Sequence, residues 1–320
     1  MNILITGAAG FIGSNLAEFH LNQGDTVYGL DDLSTGSLDN IAAFLSQPQF
    51  HFIKNNLLTF DGYAQLADVE LVYHLAAEVG TFEVIHHPEK VLTVNIETTK
   101  RLLQACIKFK KKPRFIFAST SEVYGPKHQN PLTEDSDLII SDTRSCRATY
   151  SLSKVAGESY VNTFIHQHQL PATILRPFNT IGPRQTGRYG MVVPRFVKSA
   201  VSNQPITVFG DGQQTRSFID IRDSVMLLSQ IAQCQQLIGE TVNIGHEEEI
   251  SIINLALLVK KLAHSQSEIQ FLTFKEAYDE EFLDFTVRVP DLTKLRKHID
   301  VRFAWDLNRT LLDLIKTAKM

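Results

Sequence analysis

Asn2-Ile-Leu-Ile-Thr-Gly7-Ala-Ala-Gly10-Phe-Ile-Gly13 opens the chain with a short apolar run, three spaced glycines and the start of an amphipathic stretch. The run reads as a strand, residues 10–23 as a helix, and the glycines as the turn between them. Each glycine has its own task. Gly7 permits a tight turn, Gly10 lets the backbone approach a pyrophosphate, and Gly13 allows the helix to pack closely. The helix start adds free N–H groups and positive potential, so the turn, with Phe11 and Ile12 in it, is a candidate phosphate cradle. The next β-rich run ends at Leu30-Asp31-Asp32. A carboxylate there accepts hydrogen bonds from adenosine ribose hydroxyls and repels a 2′-phosphate, which predicts NAD rather than NADP. Ser34 and Gly36, just beyond, are expected to line the same site.

Working outward, further strands are expected near residues 71–75, 114–119 and 172–176, with helices over 88–110 and 149–168. Strands alternating with helices predict an α/β fold, a Rossmann-type doubly wound parallel sheet. After Pro177 the chain turns to loops punctuated by Gly and Pro, as in Ile181-Gly-Pro-Arg and Gly210-Asp-Gly. The expected division is a cofactor-binding domain over 1–178 and a smaller C-terminal α/β substrate domain over 179–320, the chain returning to the first around 217–246. No internal repeat or low-complexity tract is evident.

Composition narrows the function. With 31 Lys+Arg against 35 Asp+Glu, a formal net charge of -4 and 43% hydrophobic residues, the sequence suggests neither a nucleic-acid nor a membrane partner. The 3 cysteines, Cys106, Cys146 and Cys234, are too dispersed for a disulfide framework or a metal cluster and fit a reducing, cytoplasmic setting. No signal peptide or transmembrane helix is expected. His166 and His168 face different sides of a helix, His246-Glu-Glu-Glu249 reads as a solvated loop and His86-His87 as an exposed helix start, so no metal is expected.

Tyr150-Ser-Leu-Ser-Lys154 puts a phenol and an ammonium one helical turn apart on one face. A phenol of pKa about 10 is a poor base at neutral pH unless a cation favours the phenolate. Spacing alone would equally suit a surface pair. This pair, however, starts a helix after a strand ending in Ser119-Thr-Ser-Glu122, where active sites of such sheets gather.

Together the glycine turn, Asp31, His74-Leu-Ala-Ala77, Ser119-Thr-Ser-Glu-Val-Tyr-Gly125, Tyr150/Lys154 and Arg176-Pro-Phe-Asn179 resemble the extended short-chain dehydrogenase/reductases acting on nucleotide sugars. The resemblance runs from Met1 to about Leu295. It implies that Tyr150 takes the sugar 4-hydroxyl proton as hydride leaves C4 for NAD, that Lys154 holds the nicotinamide ribose and that Thr120 bonds the reacting hydroxyl. Leu75, Ala76, Ala77, Ser119 and Pro177 would line the cofactor. Asn179 resembles the asparagine at the sugar diphosphate, and Arg216 resembles a phosphate-binding arginine. Arg184 and Arg195 fall in a segment that wraps the nucleotide, so the expected partner is a nucleoside diphosphate sugar, with UDP the first choice. Two positions depart from the family pattern: Asn56-Leu57 replaces the usual Asp-Ile or Asp-Leu at the adenine, and Asp32 stands where asparagine is common. An amide still accepts from the adenine amino group. The helices around 90–110 and 150–168 carry surplus apolar residues, and relatives pair such helices, which implies a homodimer.

A 4-keto sugar is re-reduced from its other face, loses water across C5 and C6, or loses CO2 when C6 is a carboxylate. Family epimerases generally lack an acid at Glu122, which is suited to general acid–base work near C5. Dehydratases acting on dTDP-glucose carry Asp where this chain has Ser121. UDP-glucuronate decarboxylases carry Thr-Ser-Glu here, with an arginine three residues before the tyrosine, matched by Arg147. Arg288 resembles the arginine near the sugar carboxylate, a role its fork suits. Both arginines could equally serve diphosphate or structural ion pairs, and GDP-mannose 4,6-dehydratases share Thr-Ser-Glu. The preferred expectation is UDP-glucuronate decarboxylation, then hexose or uronate 4-epimerisation, then 4,6-dehydration. A non-catalytic NAD-binding sensor would be expected to have lost Thr120, Tyr150 or Lys154, and all three are present.

Overall fold

The computed structural model describes residues 1–126, 131–140, 142–187, 190–278 and 288–319. In chain order its elements are β1 (Asn2–Thr6), α1 (Phe11–Asn22), β2 (Thr26–Asp31), β3 (Phe50–Lys54), β4 (Leu71–His74), α2 (Thr81–His86), α3 (Pro88–Cys106), β5 (Arg114–Ala118) and α4 (Arg147–His168). There follow β6 (Ala172–Pro177), β7 (Asn179–Ile181), α5 (Val192–Val201), β8 (Ile206–Phe209), β9 (Thr215–Asp220), α6 (Ile221–Gln233), β10 (Thr241–Ile244) and β11 (Glu249–Ser251). The chain closes with α7 (Ile252–Ala263), β12 (Ile269–Leu272), α8 (Phe274–Tyr278), α9 (Thr293–Arg296) and α10 (Leu307–Ala318).

Seven strands form one parallel sheet in the order β10-β6-β5-β4-β1-β2-β3, the doubly wound arrangement expected from the alternating pattern. β1 lies between β2 and β4, so Thr6 is in register with Leu30 and with His74. The winding reverses at β1, and the carboxyl ends of β1 and β4 open a crevice there, where ligands bind sheets of this kind. The five strands read from the sequence are all present. β3 and β10 were not among them; β10 reaches the sheet edge beside β6 only after the chain has left and come back.

Both sheet faces are covered, which is why the strands read as continuous apolar runs. On one face Leu16, Leu21, Ile221 and Leu228 pack on the sheet from α1 and α6. On the other, Leu102, Leu103, Val161 and Phe164 do so from α3 and α4. A separate core of Val193, Phe196, Val208, Leu255 and Leu311 joins α5, α7, α10 and β8. Beside it β11, β9 and β7 make a small sheet, and β12 pairs with β8. Bodies built around different cores meet over the carboxyl ends of the large sheet, and the cleft lies between them.

Candidate active site

The glycine turn is shaped as the sequence requires. Gly7 adopts φ 73, and a Cβ there would stand 3.0 Å from the Ala76 nitrogen. A Cβ on Gly13 would lie 2.0 Å from the Gly7 carbonyl oxygen, so no larger residue fits where α1 crosses the turn. A Cβ on Gly36 would approach the Ala9 carbonyl carbon to 2.9 Å, which packs the loop bearing Ser34 onto the turn.

Asp31 is buried at the end of β2. Its Oδ2 accepts from the Ala9 N–H (2.9 Å) and its Oδ1 from the Leu33 N–H (2.8 Å). Burial raises its pKa and the two N–H donors oppose the rise. Each oxygen keeps acceptor capacity for a ribose hydroxyl. The two departures from the family pattern meet here: Asn56 Nδ2 donates to Asp32 Oδ2 (2.8 Å), and Asn56 Oδ1 accepts from the Leu58 N–H (2.8 Å). The amide is thus fixed, with one acceptor position of Oδ1 left for a ligand.

The catalytic candidates gather where β5 ends beside α4. Thr120 caps the turn over Ser121–Tyr124, accepting from the Glu122 N–H at 3.2 Å, and is hydrogen-bonded to the Tyr150 phenol. Ser151 Oγ donates to the Glu122 carbonyl (3.2 Å), fastening that turn to α4. Lys154 is buried, donates to the Ala118 carbonyl (2.8 Å), and lies 5.9 Å from the Tyr150 ring centroid. Burial pushes the Lys154 ammonium down to about 8, while the Glu158 carboxylate pulls it up. Burial and the Glu122 charge raise the Tyr150 phenol, while Thr120 and Arg288 oppose them. The protein's own groups therefore leave the phenol above its usual value.

Arg288 is buried, its Nη1 3.4 Å from Glu122 Oε1, and its Nη2 donates to Asn179 Oδ1 (3.0 Å). Asn179 Nδ2 in turn donates to the Ser217 carbonyl (3.0 Å), tying β7 to β9. The other arginines diverge. Arg216 Nη1 donates to the Thr215 carbonyl (2.8 Å), and Arg195 stacks on Phe209 at 4.1 Å. Arg184, at φ 72, binds Glu18 of α1 at 2.7 Å, which fastens the loop after β7 to α1. Arg147 begins α4, and its side chain lies outside what the structure describes.

Every site residue named from the sequence except Arg147 lines one cleft of about 790 Å³. Also lining it, and not named beforehand, are Glu78, Thr207, Phe209, Gln214 and Phe274. The last four carry no local motif; they come together only when β8, β9 and α8 assemble. The glycine turn, the doubly anchored Asp31 and the paired phenol and ammonium suit a dinucleotide held across the crevice.

Fold and site together define a dinucleotide-dependent enzyme of the doubly wound class. The chain belongs to the NAD dependent epimerase/dehydratase family, whose model matches residues 3–245. It is 36% identical over 314 residues, 96% of each chain, to UDP-N-acetyl-alpha-D-glucosaminuronate decarboxylase of Bacillus cytotoxicus. It is 32% identical over 302 residues to UDP-glucuronic acid decarboxylase 2 of Arabidopsis thaliana, covering 93% of this chain and 63% of that one. Among solved structures, UDP-glucuronic acid 4-epimerase of Bacillus cereus in complex with UDP-glucuronic acid and NAD matches with a TM-score of 0.88 at 32% identity, over 99% of each chain. The protein is thus an NAD-dependent enzyme of the nucleotide-sugar epimerase, dehydratase and decarboxylase group.

Proposed function

We propose that the protein decarboxylates a UDP-linked hexuronate, UDP-glucuronate or its 2-acetamido counterpart, through a 4-keto sugar. The observation carrying this reading is Arg288, buried at the sugar end of the cleft with its guanidinium on Glu122 and Asn179 beside Tyr150. A fork so placed grips a carboxylate on the carbon next to the one being oxidised. The names of the two sequence relatives and the solved structure add support, since all three specify uronates.

NAD, when bound, would supply the acceptor for the C4 hydride and the source from which it is restored. Thr120 orients the C4 hydroxyl and Tyr150 takes its proton. Lys154 holds the nicotinamide ribose, and its charge favours the phenolate. With C4 a ketone, the bond from C5 to the carboxylate breaks, its electron pair flowing into the carbonyl as CO2 leaves. Glu122 relays the replacing proton from solvent to C5. The nucleotide rests on Arg195, Arg216 and Phe209. The same reading includes the two-domain division given above, a cytoplasmic location consistent with the free cysteines, and a homodimer joined through α3 and α4.

The second reading is 4-epimerisation of the same uronate, favoured by the full-length likeness to the 4-epimerase structure. Incubation with UDP-glucuronate and, separately, UDP-N-acetylglucosaminuronate, with products read by mass and NMR, decides between them. Loss of CO2, abolished in Tyr150→Phe and Arg288→Met, is the expected result. An isomer of unchanged mass, formed equally by Glu122→Ala, would establish epimerisation instead.

A further inference from the structure

Tyr150, Lys154 and Glu158 follow one another at intervals of four on α4 and share a face. The third has no part in the chemistry derived above, yet it is a buried carboxylate with a full set of partners. Glu158 Oε1 accepts from Ser119 Oγ (2.5 Å) and from Arg176 Nε (3.0 Å), and Oε2 accepts from Arg176 Nη2 (2.8 Å). Gly157 makes this reach possible, since a Cβ there would stand 2.4 Å from the Phe117 ring and push α4 off β5.

The partners of Glu158 sit next to the residues that place Lys154. Ser119 follows Ala118, whose carbonyl receives the Lys154 ammonium, and precedes Thr120, which bonds Tyr150. The Ser119 N–H donates to the Leu175 carbonyl, one residue before Arg176. One carboxylate therefore clamps α4, the end of β5 and β6 at the point where all three meet the cleft.

We propose that Glu158 is a positioning residue for the reaction, its carboxylate holding Ser119 and Arg176 and supplying the negative charge that keeps Lys154 charged. The proposal rests on the role assigned to Lys154 but not on which nucleotide sugar is converted, since every reaction open to the site begins with oxidation at C4.

Among the described residues, the surroundings of Lys154 leave this task to Glu158. Toward β4 it faces His74, held neutral with its pKa at about 3 by burial and by the lysine charge itself. Toward β5 it faces the Phe117 ring at 5.3 Å and the Ala118 carbonyl. On its own helix it faces Tyr150 and Glu158; Asn95 and Ser153, bonded at 3.0 Å between α3 and α4, carry no charge. Glu122 and Arg288 both act on Tyr150 and pair with each other. On β6, Arg176 faces Glu158, and His166 borders the same small hollow behind α4. Burial works against the ammonium and Glu158 works for it.

The test compares Glu158→Gln and Glu158→Asp with the wild-type holoenzyme. Lysine must be charged to act, so activity declines as pH rises through its pKa, and loss of the carboxylate moves that decline to lower pH. For Glu158→Gln the alkaline limb of kcat is expected to shift down by about one pH unit, with kcat at pH 8 down about fivefold and KM for the sugar nucleotide within about twofold. Glu158→Asp restores the limb. Titration of Lys154 by NMR in 13C-lysine-labelled protein, its resonance assigned by loss in Lys154→Met, reads the same shift without any turnover. Should Glu158→Gln fail to fold, Glu158→Gln with Arg176→Met removes both buried charges and is expected to move the limb in the same direction by a smaller amount. A folded Gln variant whose limb and Lys154 titration match wild type overturns the proposal, as does an Asp variant as impaired as Gln at every pH. Full activity in Lys154→Met would instead sink the site reading on which the proposal stands.

Discussion

His74 ends β4 with both ring nitrogens engaged, Nδ1 2.9 Å from Thr6 Oγ1 and Nε2 3.0 Å from Thr99 Oγ1. It joins β1, β4 and α3 directly under the crevice, and its sequence neighbours Leu75, Ala76 and Ala77 line the cleft. Burial first, and then the Lys154 charge, lower its pKa to about 3. The unfolded chain takes up this proton near pH 6.5 and the folded one does not, so between those values the unfolded state binds more protons and stability rises with pH. The contribution is therefore lost as pH falls from 6.5 toward 3, by about 1.4 kcal/mol per pH unit for one such group. Melting temperature is expected to drop between pH 7 and pH 5, and to drop less in His74→Gln, which keeps hydrogen-bonding capacity but does not titrate. Parallel curves in calorimetry would show that the loss lies elsewhere.

At the scale of elements, α4 shows what the sequence made legible. The interval from Tyr150 to Lys154 was readable because helical periodicity fixes which residues share a face, whatever the helix packs against. That Glu158 continues the stripe into an ion pair with Arg176 was not, because Arg176 comes from β6 and only sheet order brings it near. The strands β3 and β10 escaped for a related reason: Thr241–Ile244 is short, and its place is set by pairing with β6 rather than by local pattern. Gly157 carries the element-scale prediction. Gly157→Ala would improve local helix propensity, but its methyl would meet the Phe117 ring, itself fully in the core. The expected outcome is a net loss of about 1–3 kcal/mol in denaturant unfolding. A drop in kcat should accompany it, as Lys154 is displaced from Ala118. An unfolding midpoint raised by the substitution would mean that α4 and β5 accommodate the methyl and that the close approach is not required.

Over the whole molecule, the cleft is shared between bodies with separate cores, and this division has a thermodynamic consequence. The glycine turn, Asp31 and Lys154 belong to the large sheet and the helices packed on it, whereas Arg195, Phe209 and Arg216 belong to α5, β8 and β9. This second group was only partly legible: the arginines stood out by motif, but Phe209 and Phe274 became site residues only through the approach of β8 and α8. If the two groups hold different ligands, those ligands stabilise the protein independently. A ligand at one hundred times its Kd adds about 2.7 kcal/mol, enough to raise the melting temperature by a few degrees. UDP alone and NAD alone are each expected to give such a rise. Arg216→Met should abolish the rise with UDP and keep that with NAD, while Gly13→Ala, which places a methyl on the Gly7 carbonyl, should do the reverse. Loss of both rises in Arg216→Met would mean that the halves of the cleft form only together, and that the nucleotide end helps to build the cofactor end rather than standing beside it.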